Sequence, residues 1–214
     1  MLDLIRNEGG RVAAKLLEHL NLTAIAILVG LLIAFPLAVY AFRHRRVYAP
    51  IAGVTGLLYT IPSLALFAFL TPYTGLSMLT AEIGLVSYTL LILIRNIVAG
   101  LDSVPADARE AARGMGLSER ELLWRVEVPL ALPVIFAGIR LATVTVVGLV
   151  TVTSLITYGG VGAFILEGIV RLDASRAAFG GLLSLLIALV LDAVLLAAER
   201  RVAPWSTRRS ERTA

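Results

Sequence analysis

No cysteine occurs anywhere in the sequence, which excludes disulfides and thiolate metal sites and leaves no redox mark of the compartment. Histidine is nearly absent as well; His19 and His44 are too few and too far apart in the chain to make a metal centre by themselves. Lysine occurs once, at Lys15, and no G-x-x-x-x-G-K-[ST] run is present, so the chain carries no phosphate-cradling P-loop. Any ATP hydrolysis that its function needs belongs to another polypeptide. G-x-S-x-G and H-E-x-x-H are missing too, which leaves little room for a hydrolase or a zinc protease. Charge is also scarce: 16% of residues are Asp, Glu, Lys or Arg, too few for the surface of an ordinary soluble domain.

What fills the chain is apolar. Of 214 residues 58% are hydrophobic, and the mean hydropathy is +0.89. Five runs approach the roughly 20 residues that cross about 30 Å of hydrocarbon: Leu22–Phe42, Val47–Leu70, Leu79–Leu101, Pro133–Ile156 and Phe179–Ala198. The first is too long for the apolar core of a signal peptide and lacks a small-residue cleavage site, so it reads as a retained span. The expected fold is therefore all-α: a polytopic membrane helix bundle of about five transmembrane helices, forming one domain over residues 1–214. Ala163–Val170 is a sixth candidate element, short enough to lie outside the membrane or at its interface.

Basic residues orient the bundle. RHRR, Arg43 to Arg46, separates the first two runs, whereas Thr71–Met78 between the next two has no basic residue, which places RHRR in the cytoplasm. Alternation then puts residues 102–128 and the Arg-rich tail from Glu199 inside, and the N-terminus and Gly159–Ala178 outside. In the N-terminal arm, acidic residues offset the basic ones. The calculated pI of about 9.8 is thus topological, and no nucleic-acid partner is expected.

Residues 102–128 break the apolar pattern with two short amphipathic helices. Pro105 suits a first helical turn, and Ala108, Ala111, Ala112 and Met115 share one face. Gly114 and Gly116 offer left-handed caps to end the first helix. Ser118 with Glu121 makes a capping box that starts the second, which Pro129 is expected to stop. On physical grounds, such a helix, turn, helix fits docking to a partner and lying on lipid headgroups equally well.

Spacing adds a resemblance. Glu110-Ala111-Ala112, Gly116 after three residues, and Val126-Glu127-Val128-Pro129 after nine more resemble the EAA loop in membrane subunits of bacterial ABC importers. That family's pattern is EAA, Gly, then Ile-x-Leu-Pro. TIPSLAL (Thr60–Leu66), IRN (Ile94–Asn96), VEVPLALPVIFAGIR (Val126–Arg140), GGVG (Gly159–Gly162), and Asp192 with Glu199-Arg200-Arg201 look like the permeases for glycine betaine, carnitine and choline. The likeness runs from about Leu20 to Val202. Tyr59, Ile92 and Thr157-Tyr158 depart from that branch, where Gln, Pro and small residues are usual; these departures bear on the solute rather than the fold. Permeases of the methionine type share the layout and are the nearest alternative, and a non-transporting membrane scaffold is a more distant one.

The resemblance implies that Glu110, Ala111, Ala112, Gly114, Met115, Gly116, Leu117 and Pro129 form the contact with a separate ATPase subunit. It further implies a second permease subunit, identical or paralogous, and an extracytoplasmic solute-binding protein, all set in the lipid bilayer of a bacterial or archaeal cell membrane. ATP and magnesium would bind the ATPase, so this chain would be a transport subunit without a cofactor of its own.

Two further sets of residues stand out from the apolar runs. Arg95, Arg140 and Asp192 each lie about 9–11 Å from the cytoplasmic end of their span at 1.5 Å per residue, and so share a layer. Asp192 either pairs with Arg140 or Arg95, or each arginine snorkels to the headgroups. Tyr59, Thr60, Pro62, Ser63, Tyr88 and Asn96 place polar and aromatic groups where a substrate path would run. Interfacial anchoring and helix packing account for most of these residues better than solute binding does, and a membrane-embedded aromatic cage is not expected.

Overall fold

The structure, a computed structural model, describes residues 2–156 and 158–205. Thr157 and the arginines beyond Trp205 lie outside the described residues. Among the described residues every regular element is helical. In chain order these are α1 (Leu2–Arg43), α2 (Arg45–Thr60), α3 (Ser63–Thr74), α4 (Met78–Asp102), α5 (Ala106–Gly114), α6 (Glu119–Leu122), α7 (Val128–Val152), α8 (Gly162–Val170) and α9 (Ala174–Val202). A π turn, Leu123–Glu127, joins α6 to α7, and a 3₁₀ turn, Thr153–Ile156, ends α7.

Four helical stretches are long and apolar enough to cross a membrane: Glu8–Arg43, Met78–Asp102, Glu119–Ile156 and Ala174–Val202. The bent pair α2 and α3 makes a fifth if counted as one span. α4 is the centre. Its buried positions, from Thr80 through Leu85 and Ile94 to Leu101, pack against α1 on one side and α7 on the other, and they contribute the largest share of the main core.

Small residues let these helices approach. Ala26, Ala34, Ala38 and Ala41 are buried on α1, and Ala131 and Ala142 on α7. At Gly138 of α7 an added Cβ would sit 2.3 Å from the Cβ of Asn96 on α4, so the two backbones meet at a distance that only glycine allows. A second core joins Val12 of α1, Val147 of α7, Val161, Phe164 of α8, and Phe179 and Ile187 of α9.

Three expectations are corrected here. The run Val47–Leu70 is not one straight helix: α2 and α3 meet at 94°. Pro62 has no N–H to continue the ladder, and it drives Ile61 into extended geometry (φ −64°, ψ 127°). The carbonyl freed at Ile61 accepts a hydrogen bond from the hydroxyl of Tyr88 on α4, which fixes the break.

The second correction concerns Pro129, which does not stop the helix that begins at Glu119. The chain runs on through the π turn, where Val128 N–H bonds the Leu123 carbonyl, and Pro129 then falls in the first turn of α7, where no N–H is needed. The fourth span therefore starts before Pro133, which lies inside α7.

Third, α1 begins well ahead of Leu22. Its backbone is non-helical at Glu8, beside the glycine pair Gly9-Gly10, but from there it runs unbroken to Arg43. Those 36 residues are about 54 Å long and overshoot the bilayer.

The overshoot is held by polar contacts at the end of the bundle far from α5. Arg176 Nη2 donates to both Glu8 carboxylate oxygens at 2.9 and 2.8 Å, and Arg11 Nη1 donates to Glu167 at 3.2 Å. Arg11 holds the Glu167 carboxyl below the usual carboxylate range. Glu18 Oε1 accepts from the backbone N–H groups of Gly159 and Gly160, both at 3.0 Å. α8, with nine residues, is too short to cross; it is pinned under α9 by the edge-to-face pair Phe164–Phe179, 5.5 Å between centroids.

Replacing Gly138 with Ala should overpack the α4–α7 contact and cost about 1–3 kcal/mol, seen as a lower melting temperature in detergent. Gly148→Ala, where an added Cβ meets nothing within 4 Å, should leave the melting temperature unchanged or raise it. Equal melting temperatures for the two variants would count against the close approach.

Candidate functional site

α5 starts where the sequence places it, with Pro105 at its N-cap, Asp107 in the first turn and Arg113 in the last. Its end is a Schellman motif. Gly116 has φ +84°; its N–H donates to the Arg113 carbonyl at 2.9 Å, and the Leu117 N–H reaches back to the Ala112 carbonyl at 3.2 Å. Of the two candidate caps, the left-handed one is thus Gly116, while Gly114 is the last helical residue. Two residues on, the Ser118–Glu121 capping box is complete: Glu121 N–H donates to Ser118 Oγ at 3.4 Å, and Ser118 N–H to Glu121 Oε2 at 3.1 Å.

These two local devices turn one face of α5 outward. Glu110, Ala111, Gly114, Met115 and Gly116 are exposed, Leu117 and Pro129 are half-buried, and Ala112 is buried against the body. Met115 has 74% of its surface open, large for an apolar side chain beside a charged rim.

Below that face lies a residue that pattern reading passed over. Glu127 is fully buried, and its two oxygens are split between two arginines: Oε2 accepts from Arg43 Nη2 at 2.8 Å and Oε1 from Arg109 Nε at 3.0 Å. Arg109 Nη2 also donates to the Leu101 carbonyl at the end of α4, 2.5 Å away. Arg43 and Arg113 both donate to Glu119, at 3.0 and 3.1 Å. The guanidinium groups of Arg43, Arg45 and Arg109 each lie 5.1–5.5 Å from the centroid of the Phe42 ring. One carboxylate thereby ties the last turn of α1, the middle of α5 and the base of α7 into one unit. The signal was present in the sequence: Glu127 is a lone carboxylate in VEVPLALP, and a charge in such a run must be paired.

Of the three charges expected in one layer, the structure brings two together. Arg140 meets Asp192 in a bidentate pair, Nε to Oδ1 at 2.7 Å and Nη2 to Oδ2 at 2.8 Å, with Glu199 3.8 Å from Nη1. This joins α7 to α9. Arg95 is exposed, and among the described residues no carboxylate lies within ion-pair distance of it.

The six residues of the expected path also divide. Tyr59 and Tyr88 meet edge to face, 5.8 Å between centroids, beside the break formed by Ile61 and Pro62, and Ser63 opens α3 there. Thr60 donates within its own helix to Leu57, at 2.8 Å. Asn96 is elsewhere: eight residues or about 12 Å further along α4, it donates to the Ile92 carbonyl at 2.8 Å and packs on Gly138.

Removing the Glu127 carboxylate leaves Arg43 and Arg109 partly buried without their shared partner. Glu127→Ala should therefore cost about 3–5 kcal/mol, measured as a lowered melting temperature of the purified protein. An unchanged melting temperature would show that the two arginines do not depend on it.

Comparison with known proteins agrees with this architecture. The family model for the inner membrane component of binding-protein-dependent transport systems matches residues 26–204. The choline transport system permease protein OpuBB of Bacillus subtilis is 34% identical over 98% of this chain and 96% of its own length. The osmoprotectant import permease protein OsmW of Salmonella typhimurium is 39% identical over 91% of each. Among solved structures, an inward-facing form of the MetNI methionine ABC transporter superposes with a TM-score of 0.76 over 90% of this chain and 94% of that one. Its sequence identity is 19%, so that likeness speaks for the fold alone. The chain belongs to the family of inner membrane components of binding-protein-dependent transport systems.

Proposed function

We propose that this chain is the permease subunit of an ATP-driven importer that brings a small osmoprotectant such as glycine betaine, choline or carnitine into the cell. The observation that carries the reading is the α5 face: Glu110, Ala111 and Met115 stand exposed on a helix whose base is fixed by Glu127, as a handle for an external motor must be. A helix merely lying on lipid has no need of a buried two-arginine anchor. The solute class rests on the relatives, which are permeases for choline and for osmoprotectants and are at least 34% identical over nearly all of this chain.

In this mechanism an ATPase subunit, which carries ATP and magnesium, seats α5 in a groove, and a second permease completes the pathway. α5 and the C-terminal tail face the cytoplasm; the N-terminus and α8 face outside, where a solute-binding protein docks. When the ATPases close, α5 is drawn with them. Glu127 passes the displacement to α1 and α7, and the Arg140–Asp192 pair passes it from α7 to α9. Tyr59 and Tyr88, at the bend between α2 and α3, are the aromatic faces available to a quaternary ammonium solute on its way through.

Glu110→Ala and Gly116→Ala should each lower the amount of ATPase that co-purifies, by about tenfold if each change costs the contact about 1.4 kcal/mol. Gly116→Ala acts through the left-handed backbone, which costs a side chain about 1–2 kcal/mol. Full retention of the ATPase by both variants, or a wild-type preparation that binds lipid and never an ATPase, would sink the proposal. The solute itself is best identified by a thermal-shift screen of the cognate binding protein.

A separate expectation concerns transmission. Asp192→Asn removes the charge but keeps the shape, and solute uptake should fall several-fold with the ATPase still bound, as for loss of a charged hydrogen bond of about 1–2 kcal/mol. Uptake and assembly both at wild-type levels would show that the pair does not transmit.

A further inference from the structure

One groove stands apart from the coupling face. It measures about 410 Å³, lies between the last third of α1 and the π turn, and is almost wholly apolar: Phe35, Pro36 and Val39 form one wall, Leu123 and Trp124 the other. Phe35 and Trp124 stack at 5.5 Å and set its width. At the end nearest α5 its lining changes to Tyr40, Arg43 and His44.

The groove continues along α1 toward the middle of the bundle as a strip of apolar surface. Leu28, Leu32, Phe35, Val39 and Arg43 follow one another at steps of three or four residues, and so lie on one face. Leu28 and Leu32 are 66% and 76% exposed. From Leu28 to Val39 is about 17 Å, close to the roughly 15 Å of one hydrocarbon leaflet.

Aromatic residues sit at the head of this strip. Trp124 is 54% and Tyr40 52% exposed, and Tyr40 packs at a tilt against His44, 4.5 Å between centroids, as expected where hydrocarbon gives way to headgroups. Beyond them the surface is basic. His44 and Arg46 are exposed, and Arg125, next to Trp124, keeps 70% of its side chain open with Glu121 Oε1 3.6 Å from its Nη2. Along α1 the order is apolar for one leaflet, then aromatic, then basic.

We propose that this groove is a binding site for one anionic phospholipid, its acyl chain lying along Leu28, Leu32 and Phe35 and its phosphate meeting His44, Arg46 and Arg125. A zwitterionic lipid fits the apolar strip equally well but gains nothing from the cations, so the headgroup charge sets the preference. The wall formed by Trp124 belongs to the turn that also carries Glu127, so the bound lipid braces the joint between α1 and α7.

Native mass spectrometry of the full-length protein tests this with phosphatidylglycerol and phosphatidylcholine of matched chains. The wild type should retain one phosphatidylglycerol per chain under activation that strips phosphatidylcholine. Arg46→Gln and Arg125→Gln, which touch exposed side chains, should each weaken that retention about fivefold with melting temperature unchanged. Equal retention of the two lipids by the wild type, or undiminished preference in the double variant, overturns the proposal. A photo-reactive group in place of Trp124 gives the second arm: an adduct with lipid supports the site, and an adduct with a second copy of this chain overturns it.

Discussion

Glu127 is the constraint on which the α5 end of the molecule is built. A carboxylate with no exposed surface is tolerable only if it is paired, and here each oxygen has its own guanidinium, from Arg43 on α1 and Arg109 on α5. Because Arg109 also reaches the end of α4, four helices converge on one buried charge. An apolar contact would hold α5 in place but let it slide, whereas two directed, charged hydrogen bonds fix its position and its rotation. Exposed Met115 and Glu110 can present a defined surface only because of that anchoring.

The α5 end shows where sequence reasoning succeeds and where it stops. Gly116 and the Ser118–Glu121 box were legible, because caps are local: their hydrogen bonds span three to five residues and depend on the chain's own chemistry. The extent of α4 was legible too, since the run Leu79–Leu101 lies between Ser77, which caps the helix, and Asp102, and the helix, Met78–Asp102, differs by a residue at each end. Proline was legible only in part. Inside the run Val47–Leu70, Pro62 became a right-angled break because Tyr88, distant in sequence, supplies a donor for the orphan carbonyl of Ile61. Pro129 became a continuation because a π turn shifted the hydrogen-bond register just ahead of it. Each outcome is decided by a partner or a register that composition does not carry.

The same distinction separates the charges. Depth alone put Arg95, Arg140 and Asp192 in one layer, yet depth does not say which way a side chain faces. Arg140 and Asp192 point across the α7–α9 contact and meet, while Arg95 points away from the body of the protein. Asn96, next in the chain, turns instead toward Gly138 and serves packing, which its polarity concealed.

Mechanically, the helices are held unequally. α1, α4 and α7 share a continuous core, and α1 is clamped at both ends, by Glu8, Arg11 and Glu18 at one and by Arg43 at the other. α9 has little of its apolar span buried and leans on α7 and α8, with the Arg140–Asp192 pair as its directed link to α7 near the α5 end. The bent α2–α3 pair is secured at its break by one hydroxyl and one aromatic contact on α4. A displacement applied at α5 therefore moves α1, α4 and α7 together as one block, because relative motion among them has to break close packing or strand a buried charge. Relative motion is cheapest where the packing is sparsest, at the α2–α3 bend. The tyrosine pair stands at that bend, so the place of least restraint is also the place with the chemistry to hold a cation.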